Sequence, residues 1–283
     1  MSTTSSDILA HCHPALCASS AIQFHVMFEG KMIAFLINHP FIFFLVSFAM
    51  MWISAYLGTV MRRRRHPGLL EDGDDYSLIL GSTLTLLGLL IGFTFSMAAG
   101  RYDQRKNYEE EEANAIGTEY VRADFLPAAD AAKVRMLLKE YLAVRIEYYM
   151  RITPQQVKQN ESSAAALQAQ MWATVVPSAT AQPDALRALV VSGMNDVLNR
   201  QGYTQAAFLN RVPIAAWLLM IAIAVFCNVL LGYRVQGKGK VMFLILPMAI
   251  AISFFLISDI DSPRRGVIMV HPQNLEILQQ SLP

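Results

Sequence analysis

Two clusters of ionisable side chains stand where long apolar runs end. Arg101, Tyr102, Asp103 and Arg105 follow the run that closes at Gly100, and Asp259, Asp261, Arg264 and Arg265 follow the run that closes at Ser258. Opposite charges this close in sequence can pair locally and shape the exit of the chain from an apolar medium. The sharper reading is a ring of charge around a pore mouth, where carboxylates or guanidiniums select the permeant ion. Uncharged polar groups precede the first cluster. Gly88, Gly92, Ser96 and Gly100 recur every fourth position, which puts them near one another on a helix, and Thr94 lies among them. A stripe of small residues lets a second backbone approach closely in lipid, and the same hydroxyls can line a polar conduit.

Other ligating side chains form weaker patterns. His11, Cys12, His13 and Cys17 offer imidazole and thiolate, but the paired spacings of a structural zinc site are missing. A flexible tail is the plainer reading, with a Cys12–Cys17 disulfide open to it outside the cytoplasm. Glu109 to Glu112 are consecutive. On a helix such a run points in several directions, so it reads as a solvated face paired with Arg105 and Lys106 rather than a cation site. No metal and no cofactor is expected. Phosphate-loop, zincin and nucleophile-elbow patterns are missing. His271 is the only histidine beyond His66, which excludes a histidine-based constellation in the centre of the chain. Enzyme is therefore the least favoured class. With 23 basic and 22 acidic residues, the chain has no nucleic-acid footprint either.

The elements that position these groups are apolar helices. Hydrophobic residues make up 54% of the chain and charged ones only 16%, far from soluble averages. Phe41 to Met61, Leu78 to Ala99, Pro213 to Gly232 and Val241 to Ser258 each match a hydrocarbon core of about 30 Å. Phe24 to Ile37 carries Glu29 and Lys31 and suits the membrane interface instead. Asn228 in the third span calls for a partner across helices, and Cys227 beside it reads as a small buried hydrophobe. The second span continues without proline from Gly81 to Arg122, as one helix entering a soluble domain. That domain holds three further helical stretches: Asp130–Met150, Val157–Val175 and one capped by Asp184, which Gly202 interrupts. Pro177 to Pro183 reads as a linker, Gly266 to Val270 as a strand and Pro272 to Leu282 as a short docking helix.

The expected fold is all-α: an integral membrane protein with four transmembrane helices and an inserted helical soluble domain. Its parts are a tail with an interfacial segment (1–38), a first helix pair (39–99), the soluble domain (100–211), a second pair (212–258) and a docking tail (259–283). Arg62 to Arg65 follow the first span, and the loop Tyr233–Lys240 is also basic. By the positive-inside rule these two loops are cytoplasmic, and the termini and soluble domain lie outside.

LLGLLIGFTFSMAAGRYDQRKNYEEEEANAIGTEYVRADFLP, together with the closing FFLISDIDSPRRGVIMV, resembles the bacterial membrane family called bestrophin-like. The similarity runs from the first span onward. A thinner likeness, an apolar span leading into Tyr102-Asp103, reaches the true bestrophins, which are pentameric anion channels. The chain has Gln104-Arg105-Lys106-Asn107 next, where those have an arginine and a tryptophan pair. The resemblance implies a multi-pass protein of the bacterial inner membrane and a homo-oligomer open to small anions. Its soluble domain would then face the cytoplasm, opposite to the loop charges. The alternative is a non-conducting membrane protein whose helical domain senses a ligand or binds a partner.

Overall fold

The computed structural model describes residues 35–64, 73–150, 153–234 and 242–283. The zinc and disulfide readings of the N-terminal tail, and the centres of both hairpin loops, lie outside the described residues. Helix α1 is Pro40–Arg64, α2 Gly73–Arg122, α3 Ala128–Tyr149, α4 Pro154–Ala181, α5 Ala185–Leu209, α6 Ile214–Arg234, α7 Met242–Asp261 and α8 Gln273–Ser281. Four stretches are long and apolar enough to cross a membrane, and they lie in α1, α2, α6 and α7. No strand occurs among the described residues.

Helix α2 is the axis of the molecule. Its 50 residues, unbroken by proline, extend about 75 Å, more than twice a hydrocarbon core. Its first half packs on α6 and α7, and its second half on α3, α5 and α8. Helix α1 packs on α6 and α7. Two glycines allow this. A Cβ on Gly58 would collide with the Val229 carbonyl oxygen, and one on Gly232 with the Ala55 carbonyl oxygen. The α1–α6 contact is therefore backbone against backbone, the small-residue packing that lipid-embedded helices use. The four-residue stripe on α2 drew attention in the sequence, but the contact is made by isolated glycines on other helices. Arg62 completes it by donating from Nη1 to Tyr233 O at 3.1 Å and Arg234 O at 3.0 Å, which satisfies carbonyls at the α6 C-terminus.

Each half has its own core. Near the bundle end of the spans, Trp217 meets Phe43 edge-on at 5.1 Å and Phe254 at 5.9 Å. In the soluble domain, Val134, Leu138 and Tyr141 of α3 pack with Met171 and Val175 of α4 and Val190, Met194 and Val197 of α5. Each aliphatic side chain so buried contributes about 1.5–3 kcal/mol. Tyr102 packs against both cores, at the point where α2 leaves one for the other. The expected caps form. Asp184 accepts from Arg187 N at 2.8 Å, and Thr153 with Gln156 makes a capping box around Pro154.

Three local expectations need correction. Helix α4 runs through Pro177 to Ala181, so the linker is shorter than expected. Helix α5 passes through Gly202 without a break. Residues 266–268 bend and 269–270 are irregular, so no strand forms there. In the first two cases packing of the same helix face on the bundle outweighs a local propensity cost of about 1–3 kcal/mol.

Candidate functional site

Within the membrane α2 has two contrasting faces. Leu80, Leu87, Thr94 and Ala98 are buried against the other spans. Gly81, Thr85, Gly88, Gly92, Ser96 and Gly100 are exposed on the opposite side, and a Cβ on any of these four glycines would meet nothing within 4 Å. Thr94 thus stands apart from the stripe, and its hydroxyl donates to Leu90 O at 2.8 Å. The open face continues beyond the membrane through Asp103, Asn107, Glu110 and Asn114, all exposed, with Lys106 beside them.

The acidic residues at the α7 exit are buried and bonded to backbone. Asp259 accepts from Val267 N at 2.7 Å and Ile268 N at 2.8 Å, which folds the turn after α7. Asp261 accepts from Val212 N at 3.2 and 3.1 Å with its two oxygens, tying that exit to the start of α6. Arg101 Nη1 approaches Asp261 at 3.7 Å. Local pairing of these acids with Arg264 and Arg265, one of the two sequence readings, is not what forms. Arg264 instead lies 4.4 Å from the Tyr148 ring centre and 4.7 Å from that of Phe208, a cation–π arrangement. Arg265 Nη1 meets His39 Nε2 at 2.6 Å.

Arg105 is buried on the packed side of α2, where Nη1 donates to Ile260 O at 3.2 Å. Burial lowers its pKa to about 10, against the opposing pull of Asp261. Arg211, which sequence reading missed, donates from Nη1 to Ser262 Oγ at 3.4 Å. Its pKa is lowered by burial, with Asp261 acting the other way. Arg101, Arg105, Arg211, Arg264 and Arg265 therefore gather at the bundle edge of the membrane, around two carboxylates. Charge at the Arg62–Arg64 end is matched by charge here, so the contrast behind the positive-inside assignment is smaller than the loops alone suggest.

The acidic run on α2 is not a solvated face. Glu109 is buried and accepts from Leu275 N at 2.9 Å and Asn274 Nδ2 at 2.7 Å, anchoring α8. Glu112 is fully buried and ion-paired to Arg145 of α3. Its Oε2 also accepts from Tyr149 Oη at 3.1 Å and Thr204 Oγ1 at 3.2 Å. Burial opposes the charge of Arg145, but Glu112 beside it raises the guanidinium above its ordinary range. Only Glu111, paired with the half-exposed Arg200, and Glu110 keep the expected character. A signal was present in the sequence. Arg145 occupies a position of the apolar stripe that runs Leu138, Tyr141, Tyr148, and Arg105, Glu109, Glu112, Ile116 and Glu119 follow one 4-3 repeat.

Glu119 is fully buried, and neither carboxyl oxygen has a hydrogen-bond partner. Gly193 of α5 makes room for it, because a Cβ there would strike Glu119 Oε2. Desolvation raises its pKa to about 8, with Arg122 opposing and Asp196 assisting. The folded protein thus holds a proton that the unfolded chain releases near its ordinary carboxylate pKa. The contribution of Glu119 to stability is expected to be full in acid and to be lost as pH rises from about 4.5 to about 8. Glu119→Gln should flatten that slope and raise the melting temperature at pH 8, read by thermal unfolding in detergent. An unchanged slope would assign it to other groups.

The model of one family, the bestrophin-like domain, matches residues 41–275. The chain belongs to the bestrophin-like family. The match begins inside α1 and ends in α8, so it covers all four spans and the soluble bundle. Solved structures of a bacterial bestrophin homologue from Klebsiella pneumoniae share the fold. One, a point variant, superposes with a TM-score of 0.61 at 14% identity over 84% of this chain and 94% of that one. A second, phased with zinc, gives 0.58 at 16% identity over 85% and 98%. No sequence among curated proteins matches. A bestrophin-like protein is thus built here with helical spans and a helical bundle that share α2, and with arginines at their junction.

Proposed function

We propose that this bestrophin-like protein is one protomer of an oligomeric ion channel whose conduit runs along the open face of α2. The observation that carries this is the exposure of that span. Only 17% of its most apolar window is buried, against 44% for α7. Lipid can cover an apolar face, but four glycines in an exposed helix each cost about 1 kcal/mol relative to alanine. Lipid contact returns nothing for that cost, whereas close approach of neighbouring α2 helices, or a polar lumen beside Thr85 and Ser96, does.

Charges on the open face govern the permeant ion. Asp103 and Glu110 stand there beyond the membrane, with Lys106 as the single cation beside them among the described residues. Arg101 and Arg105, whose place in the sequence suggests attraction of small anions, turn to the packed side. The wall is net acidic and favours cations. Anion conduction is the second reading, supported by the family resemblance.

Protein purified in detergent should have the mass of an oligomer, and proteoliposomes should pass salt faster than protein-free vesicles. A bulky residue on the open face, Ser96→Phe, should cut that flux at least about tenfold. Reversal potentials in a potassium chloride gradient then separate cation from anion. A monomeric mass, with flux equal to that of empty vesicles, would overturn the channel and leave the non-conducting partner-binding protein.

A further inference from the structure

The packed side of α2 carries a different chemistry from its open face. Arg105 is 1% exposed, yet its Nε and Nη2 have no hydrogen-bond partner. Those two N–H groups lie along one edge of the guanidinium, the edge that bonds two oxygens of a single carboxylate or phosphate side by side. Arg101 Nη1 is also buried without a hydrogen-bond partner. Asp261 serves it poorly, since 3.7 Å is beyond hydrogen-bond reach and both carboxylate oxygens already accept from Val212 N. Arg211 lies within electrostatic reach of Arg105 and of the same Asp261. Arg264, within electrostatic reach of Arg211, leaves the same Nε and Nη2 edge unpartnered. Guanidinium N–H groups stripped of water and left unpaired are costly. Cations that repel one another with too few acids among them raise that cost further.

We propose that this junction is a binding site for one oxyanion of the phosphate class, held by the fork edge of Arg105 with Arg101 and Arg211 beside it. Such an anion supplies acceptors for the orphaned donors and offsets the excess positive charge. Its double-bonded and anionic oxygens match a fork, whereas a halide, having one centre, leaves one prong unused. The site lies one helical turn past Gly100, where the span ends. The source of the anion is inorganic phosphate from solution or the phosphate of an anionic lipid headgroup, and since Arg105 is buried its entry requires the covering side chains to move aside. The site is on the opposite side of α2 from the open face, so it stands whether or not that face conducts.

The test uses the full chain in nanodiscs of phosphatidylcholine alone and of phosphatidylcholine with phosphatidylglycerol. Inorganic phosphate and sulfate are titrated against chloride at constant ionic strength, with thermal unfolding and calorimetry as readouts. Saturable stabilisation by phosphate or sulfate in the phosphatidylcholine discs is expected if the source is soluble. Retention of phosphatidylglycerol in native mass spectra, with no further effect of phosphate, is expected if the source is lipid. In either case Arg105→Lys, which keeps the charge but loses the fork, should weaken binding about tenfold, and Arg105→Met should abolish it. Arg101→Gln gives an independent reading if Arg105→Met does not fold, and Arg63→Gln at the other membrane edge should leave binding unchanged. The proposal fails if chloride stabilises as well as phosphate and no anionic lipid is retained. It also fails if binding survives unchanged in both Arg105→Lys and Arg101→Gln, in which case the anion binds elsewhere on the protein.

Discussion

Replacing Arg145 with methionine should destabilise the soluble bundle by about 3–5 kcal/mol. Both members of the Glu112–Arg145 pair have fully buried side chains. Losing the guanidinium leaves a carboxylate in an apolar core with only the Tyr149 and Thr204 hydroxyls to bond it. The Tyr148 ring, whose centre lies 4.3 Å from the Arg145 guanidinium, loses one of its two cations and keeps Arg264. The pair spans α2 and α3, so the damage falls on the seam that joins the membrane axis to the bundle. The double variant Glu112→Leu/Arg145→Met removes both charges and should recover most of the loss, because apolar replacement of a whole buried pair is often neutral. Thermal unfolding in detergent gives both numbers. A single variant within about 1 kcal/mol of the parent would show that the pair contributes little.

The second large effect belongs to the membrane half. Gly232→Val should prevent α1 and α6 from packing, because the new Cβ falls on the Ala55 carbonyl. Ordinary overpacking costs about 1–3 kcal/mol, since flexible side chains give way. Here the obstacle is backbone, so the helices must separate, and the cost should exceed that range. Gly58→Val meets the Val229 carbonyl and should behave alike. The control is Gly202→Ala at an exposed position of α5, where nothing lies within 4 Å. It should stabilise by up to about 1 kcal/mol through the lower entropy of the unfolded chain. Yield of folded protein in detergent and melting temperature separate the three. Equal behaviour of Gly232→Val and Gly202→Ala would mean that α1 and α6 are not in backbone contact.

These two sites show why contacts between distant helices are hard to place from the chain alone. A four-residue glycine spacing signals a face but not the side on which a partner lies. The α2 stripe is open in the protomer, while Gly58 and Gly232, each alone on its helix, make the close approach. Likewise, an acidic run is solvated by default, and only a partner from a distant helix makes burial affordable. Arg145 lies 33 positions after Glu112, and Leu275 lies 166 positions after Glu109.

Membrane residence, the four spans and the continuous α2 were set by the amino-acid sequence itself. Each follows from local quantities: apolar length against bilayer thickness, charge at span ends, and the lack of proline from Gly81 to Arg122. The sites were decided by tertiary structure. Which face of α2 is covered, which carboxylates reach backbone amides, and which guanidiniums are left without partners all depend on helices far apart in the chain. A helix has one periodicity, but the direction from which its neighbours come is a property of the whole fold.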